Sequence, residues 1–184
     1  LDCKESYIPG ILQKTMLGIS KNLGAYDYFV RTNLSTCIDC RKLMNMISDA
    51  DHGGTLYTGG RRMTNSGIPY ISGTSIVLNA KAASLLVKRY TAEKRMYDKL
   101  WAFDDVVIGK ILEGESTMLK QYEMYDADTE KSPVENIEVF KGLSTPFFRT
   151  KTIIYTEAYS DTNTVNLFEL FNDLVSQDLD NSKQ

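Results

Sequence analysis

The chain has 184 residues, of which 42% are apolar and 24% charged, and its net charge is −3. This length suits a single domain over residues 1–184 with a sizeable core, and the composition is that of an ordinary globular protein. The slight acidic balance argues against nucleic acid as a partner, because phosphate binders carry a basic stripe.

No stretch is long and apolar enough to predict a transmembrane segment. No signal-peptide pattern is visible, although the chain begins at Leu1 rather than at a methionine. Three cysteines do not make a disulfide framework. Cys37 and Cys40 have no second pair to complete a zinc site and read as small core-facing residues on a helix.

Pro9 followed by Leu12, Met16, Ile19 and Leu23 predicts a first helix with proline in its first turn and Gly24 as its stop. Tyr26 to Thr32 reads as a strand. Cys37, Cys40, Met44 and Ile47 form one helical stripe, with Ser35 as a possible cap, running to about Ser48. Asp49 to Gly54 is a turn-rich loop that holds the one histidine, His52. Leu56 to Thr58 predicts a short strand ended by Gly59-Gly60, with a polar loop from Arg61 to Gly67. Ile68 to Ser72 and Ser75 to Leu78 are strand pieces around Gly73, and Ala80 to Tyr90 is a helix with Leu85 and Leu86 inward.

Val106 to Leu112 suits a short helix capped by Asp104. The stretch up to Lys131 is weakly patterned, and its run Glu123, Asp126, Asp128, Glu130, Glu135 and Glu138 reads as a solvated loop rather than a metal site. Ile137 to Phe140 and Thr152 to Tyr155 have strand character. Val165, Phe168, Phe171 and Val175 mark a last amphipathic helix capped near Thr162. Strands alternating with helices predict an α/β fold with a mostly parallel sheet.

Four constellations carry candidate chemistry. Arg31-Thr32-Asn33 ends the second predicted element with a cation, a hydroxyl and an amide, groups that bind a diphosphate or sugar hydroxyls. In an open α/β sheet such a strand end is where ligands bind; the plainer reading is a turn into the next helix. Ser72-Gly73-Thr74 is a bend whose glycine allows a ligand close to the backbone, or simply a tight turn. Asp104-Asp105 pairs two carboxylates, each raising the other's proton affinity, as a general base requires; alone, a cap with a solvated neighbour explains it equally well. Arg149 and Lys151 share one face of an extended segment and suit a pyrophosphate, or protect an edge strand from aggregation.

Taken in order, these pieces resemble the GT-A glycosyltransferases, and within them the β-1,3-glycosyltransferases of the galactosyltransferase and Fringe-like group. Glu5-Ser6-Tyr7 with Lys14-Thr15 is similar to that family's D-S-Y-x-N-L-T-x-K-T segment. Tyr28 to Cys37 resembles its strand ending in K-T-D-x-D-V-F, in an R-T-N form. Tyr57-Thr58-Gly59 resembles its Y-x-G, and Tyr70-Ile71-Ser72-Gly73-Thr74 with Ile76-Val77-Leu78-Asn79 its Y-x-S-G-x-G-Y-x-x-S. Asp104-Asp105-Val106-Val107-Ile108-Gly109 resembles E-D-V-x-x-G.

The resemblance implies a Rossmann-type GT-A domain, its base-binding half N-terminally abbreviated, rearranged or outside this sequence, that moves a sugar from a UDP-like nucleotide-diphosphate donor to a glycan or other hydroxyl acceptor. Arg31, Thr32 and Asn33 then face the diphosphate and donor sugar. Ser72, Gly73 and Thr74 line the donor and acceptor pocket, Asp105 is the catalytic base beside Asp104, and Lys14 lies near the donor. A non-catalytic GT-A-like domain that binds a nucleotide or glycan is the competing expectation.

The family's metal-binding D-x-D falls on Asn33-Leu34-Ser35, which has no carboxylate. A manganese or magnesium ion therefore binds through other groups, or Arg31, Arg149 and Lys151 replace it, or the domain is inactive. Asn33-Leu34-Ser35 is also an N-glycosylation sequon. A glycan there would block the donor site, which together with unpaired cysteines favours a cytosolic protein.

Overall fold

The computed structural model describes residues 8–33, 35–50, 53–65, 67, 69–100, 102–114, 121–122, 124–128, 130–150 and 169–173. In chain order its elements are α1 (Gly10–Asn22), β1 (Tyr28–Arg31), β2 (Thr36–Ile38), α2 (Cys40–Ala50), β3 (Tyr57–Met63), β4 (Pro69–Ile71) and β5 (Ile76–Asn79). There follow α3 (Ala80–Ala92), α4 (Lys94–Tyr97), α5 (Asp104–Ile111), β6 (Gln121–Tyr122), β7 (Tyr125–Asp126), α6 (Pro133–Lys141), β8 (Phe147–Arg149) and a short helix, α7, over 169–173. Two compact units are formed, one from Leu1–Asn33 with Asp49–Glu123, the other from Leu34–Ser48 with Met124–Gln184.

The first unit is built on a sheet in the order β1-β5-β3-β4, with β6 added to β3. The expected mixture of helices and strands is present, but the expected mostly parallel sheet is not. All three pairings along that path are antiparallel, and only β6 runs parallel to its neighbour. A parallel sheet needs a long crossover between neighbouring strands. Here β4 and β5 are separated by a four-residue bend, and β4 pairs antiparallel with β3.

β5 lies between β1 and β3 and is buried along its whole length, which explains its continuous Ile76-Val77-Leu78 run. The helices pack their apolar stripes into one core: Leu12, Met16 and Ile19 from α1, Ala82, Ala83 and Leu86 from α3, and Val107, Ile108 and Ile111 from α5. Each large aliphatic side chain buried this way contributes about 1.5–3 kcal/mol. Gly24 has a positive φ of 82° just past α1, as a helix stop requires. Asn79 ends β5 and starts α3: its Oδ1 accepts from the N–H groups of Ala82 at 3.0 Å and Leu56 at 3.1 Å, and its amide donates to the Gly54 carbonyl at 2.7 Å.

Gly59-Gly60 does not end β3. The strand runs on through Arg61 and Arg62 into the segment expected to be a loop, and pairs there with β4. Gly59 sits at φ 141°, and a Cβ on it would lie 1.8 Å from the Ser75 carbonyl oxygen. The glycine therefore lets two backbones cross closely instead of breaking the strand.

The second unit has a sheet in the order β2-β8-β7, antiparallel between β2 and β8 and parallel between β7 and β8. Cys37 lies in β2, not on a helix; α2 starts at Cys40, where the Asp39 carboxylate accepts from the Lys42 N–H at 3.0 Å. Cys37 is buried, as expected, but Cys40 is exposed. Ile137 to Phe140 is helical rather than extended, within α6, which begins with a Ser132/Glu135 capping box and Pro133 in its first turn. Ile137 and Phe140 pack with Cys37, Phe148 and Phe171 in this unit's core.

The acidic run is not one loop: Asp126 belongs to β7, Glu135 and Glu138 to α6, and Asp128 pairs with Lys131. Phe171 is on α7, whereas His52, Thr152 to Tyr155, Thr162, Val165, Phe168 and Val175 lie outside the described residues. Among those described, no helix is long and apolar enough to cross a membrane.

Gly59→Ala is expected to lower the stability of the first unit by about 2 kcal/mol or more, since the substitution meets both a positive φ and a backbone oxygen. Gly24→Ala, where nothing lies within 4 Å, is expected to cost only about 1 kcal/mol. Urea denaturation of the two variants checks the difference.

Candidate active site

The antiparallel pairing of β1 with β5 sets the geometry. Arg31, the last residue of β1, pairs with Ile76, the first of β5. The bend Ser72-Gly73-Thr74-Ser75 enters β5 at that same end, so the polar strand end and the glycine bend meet. The contact is close: a Cβ on Gly73 would fall 1.7 Å from one terminal nitrogen of Arg31. The guanidinium occupies the space that the missing side chain leaves.

The bend is fixed from within. The Ser72 N–H donates to the Gly60 carbonyl at 2.8 Å, and the Ser75 N–H donates to the Ser72 carbonyl at 2.9 Å. Ser75 Oγ accepts from the Gly60 N–H at 2.8 Å, and the Ser72 and Thr74 hydroxyls bond each other at 2.9 Å. These hydroxyls are buried and shape the turn. The Gly73 N–H donates to Asp105 Oδ2 at 2.9 Å.

α5 brings in both carboxylates. Asp104 is its first residue, not its cap; Phe103 holds the cap position and makes no side-chain cap bond. Asp104 Oδ2 pairs with Arg31 Nη2 at 2.7 Å, with side chains 12% and 23% exposed respectively. Burial pushes the Asp104 carboxyl above the ordinary carboxylate range; the Arg31 guanidinium opposes this, and the Asp105 charge adds to it. Asp105 is half-buried, and its second oxygen accepts from the Val106 N–H at 2.9 Å. A carboxylate oxygen has two lone pairs, so each still has acceptor capacity for a substrate proton.

Tyr57 and Tyr70 complete the surroundings. The buried Tyr57 hydroxyl accepts from the Ile71 N–H at 3.3 Å. Burial, with smaller effects from Asp105 and Asp104, pushes its acidity well down, so it stays a neutral phenol. Tyr70 shifts the same way, through burial first and Asp105 second. Neither tyrosine stands out as a site residue by composition or periodicity. The signal available was their position flanking the glycines of β3 and the Ser72-Gly73 bend.

The structure thus brings together Arg31, Ser72, Gly73, Thr74, Asp104 and Asp105. Thr32 and Asn33 continue the chain from Arg31, half-buried and exposed respectively, and Lys14 is exposed on α1. Arg149 belongs to the second unit, where it stands 3.9 Å from Asp126, and Lys151 lies outside the described residues. Among the described residues, no group of three His, Cys, Asp or Glu side chains is arranged to hold a metal ion. The D-x-D position offers only an amide and a hydroxyl, a donor set without the negative charge that hard cations prefer. No known protein-family profile matches the chain, and no curated protein is significantly similar to it.

The Arg31–Asp104 pair makes a signed prediction. A raised folded pKa means that Asp104 contributes stability fully below its unfolded pKa of about 3.9 and loses it as pH rises through the folded value. Arg31 offsets that loss by attracting the carboxylate form. Arg31→Gln is therefore expected to cost about 1–3 kcal/mol at pH 7, between the values for surface and buried pairs. The cost is expected to shrink toward pH 4; urea denaturation at both pH values measures it.

Proposed function

We propose that the first unit carries the active site of a glycosyltransferase of GT-A type. It transfers a sugar from a nucleotide-diphosphate donor, UDP-linked by resemblance, to a hydroxyl of a glycan or other acceptor. The observation that supports this reading best is the convergence of Arg31, Gly73 and the Asp104-Asp105 pair. Far apart in sequence, they hold the positions that the resemblance gives to diphosphate binding, the sugar pocket and the base.

The reaction is inverting. Asp105 removes the proton of the acceptor hydroxyl as that oxygen attacks the anomeric carbon; the glycosidic bond forms while the bond from that carbon to the diphosphate oxygen breaks. The diphosphate departs with the bonding electron pair. Two N–H donors, from Gly73 and Val106, fix the Asp105 carboxylate, so the base is oriented before substrate arrives.

One observation favours a second reading. Both Asp105 oxygens and the Asp104–Arg31 pair already serve the fold, which is also what a non-catalytic nucleotide- or glycan-binding domain would need. The two readings differ in turnover.

Asp105→Asn is expected to lower sugar transfer or donor hydrolysis by about 10²–10⁴-fold, the usual worth of a general base, with the native circular dichroism spectrum kept and the Tm lowered by the loss of one accepted N–H. Equal turnover in wild type and variant removes the base assignment. A panel of nucleotide sugars is expected to raise the Tm for at least one donor. Binding without turnover supports the second reading, and no shift for any donor counts against the transferase reading and favours the non-catalytic one.

A further inference from the structure

We infer that Arg31, held by Asp104 across Gly73, is the cation that neutralises the donor diphosphate in place of a divalent metal; this rests on the glycosyltransferase reading above. A departing diphosphate develops charge that a cation must stabilise. The resemblance implies manganese or magnesium on a D-x-D, and the chain has Asn33 and Ser35 there. The carboxylates that the fold does bring to the site are committed elsewhere. Asp104 is paired with Arg31 at 2.7 Å, and Asp105 accepts the N–H groups of Gly73 and Val106. A metal ion placed there would have to compete with the Arg31 guanidinium for Asp104.

Arg31 has what the role requires. It ends β1 two residues before the D-x-D position, so the strand delivers it to the edge where that position begins. Its guanidinium carries five N–H donors in a planar fork, and Asp104 is held through one terminal nitrogen. Nη1 lies against Gly73, and the donors on the exposed side of the fork suit phosphate oxygens. Its side chain is 23% exposed, so a ligand reaches it.

Gly73 makes the placement possible, since any Cβ there would overlap the guanidinium at 1.7 Å. Asp104 is the positioning residue: it holds the long arginine side chain in one geometry, so the cation is arranged before the donor binds. Of the other cations that the sequence offers for a diphosphate, Arg149 stands beside Asp126 in the second unit.

The test is calorimetric titration of the full chain with UDP, GDP and dTDP, each in excess EDTA and in excess manganese chloride. For the diphosphate that binds, the Kd in EDTA is expected to lie within about twofold of the Kd in manganese. Arg31→Gln is expected to weaken binding in EDTA about 10- to 100-fold, the worth of a charged hydrogen bond, with Arg31→Lys between the two. Gly73→Ala keeps the charge but displaces the guanidinium. It is expected to weaken binding as well, which preserves the test if Arg31→Gln fails to fold.

Binding that EDTA abolishes and manganese restores overturns the inference and leaves the transferase reading standing. An unchanged Kd in folded Arg31→Gln does the same. If none of the three diphosphates binds under either condition, the transferase reading falls and this inference with it.

Discussion

The antiparallel register of β1 against β5 is the constraint on which the candidate site depends. Arg31 opposite Ile76 means that the end of one strand lies beside the start of the other. The bend that feeds β5 is then the nearest backbone to the arginine. A one-residue slip would turn Arg31 to the other face of the sheet and separate it from Gly73.

Two close approaches follow from that frame, and both need glycine. At Gly59 the backbone of β3 passes the Ser75 carbonyl, and at Gly73 the guanidinium of Arg31 fills the side-chain position. Between them, Ser72 and Ser75 tie the bend to Gly60. The bend is thus anchored to β3 on one side and to α5 on the other, through the Gly73–Asp105 bond. Such an anchored turn holds its neighbouring side chains more firmly than a free loop does.

The electrostatics divide the acidic pair. Asp104 is largely enclosed and pairs with a cation; its burial raises the cost of its charge, and Arg31 returns part of that cost. Asp105 is held by backbone N–H groups and is half-buried. Under the proposed function these surroundings give the two adjacent carboxylates different tasks, one positioning and one proton transfer. In the proposed reaction the arginine takes the diphosphate charge and Asp105 takes the acceptor proton.

Much of this was legible in the chain. Helical spacing marked α1, α3 and α5, and the polar strand end, the glycine bend and the acidic pair were each visible as separate pieces. Other features were legible and easily misread. Ile137-Glu138-Val139-Phe140 alternates like a strand, yet Ser132-Pro133-Val134-Glu135 before it is a helix start, and a capping box with proline settles the local conformation. Cys37 fits the period of the helix that follows, but its pairing with Phe148 in β8 draws it into a strand.

What the sequence by itself determined was the local content: where helices begin, which runs are buried, and which residues have the chemistry of a site. Strand direction and partner choice were decided only by tertiary structure, because hydrogen bonding between β1, β5 and β3 joins segments whose local patterns suit either orientation. That choice also decided that Arg31, and not an assumed metal ligand set, stands against Gly73 and Asp104.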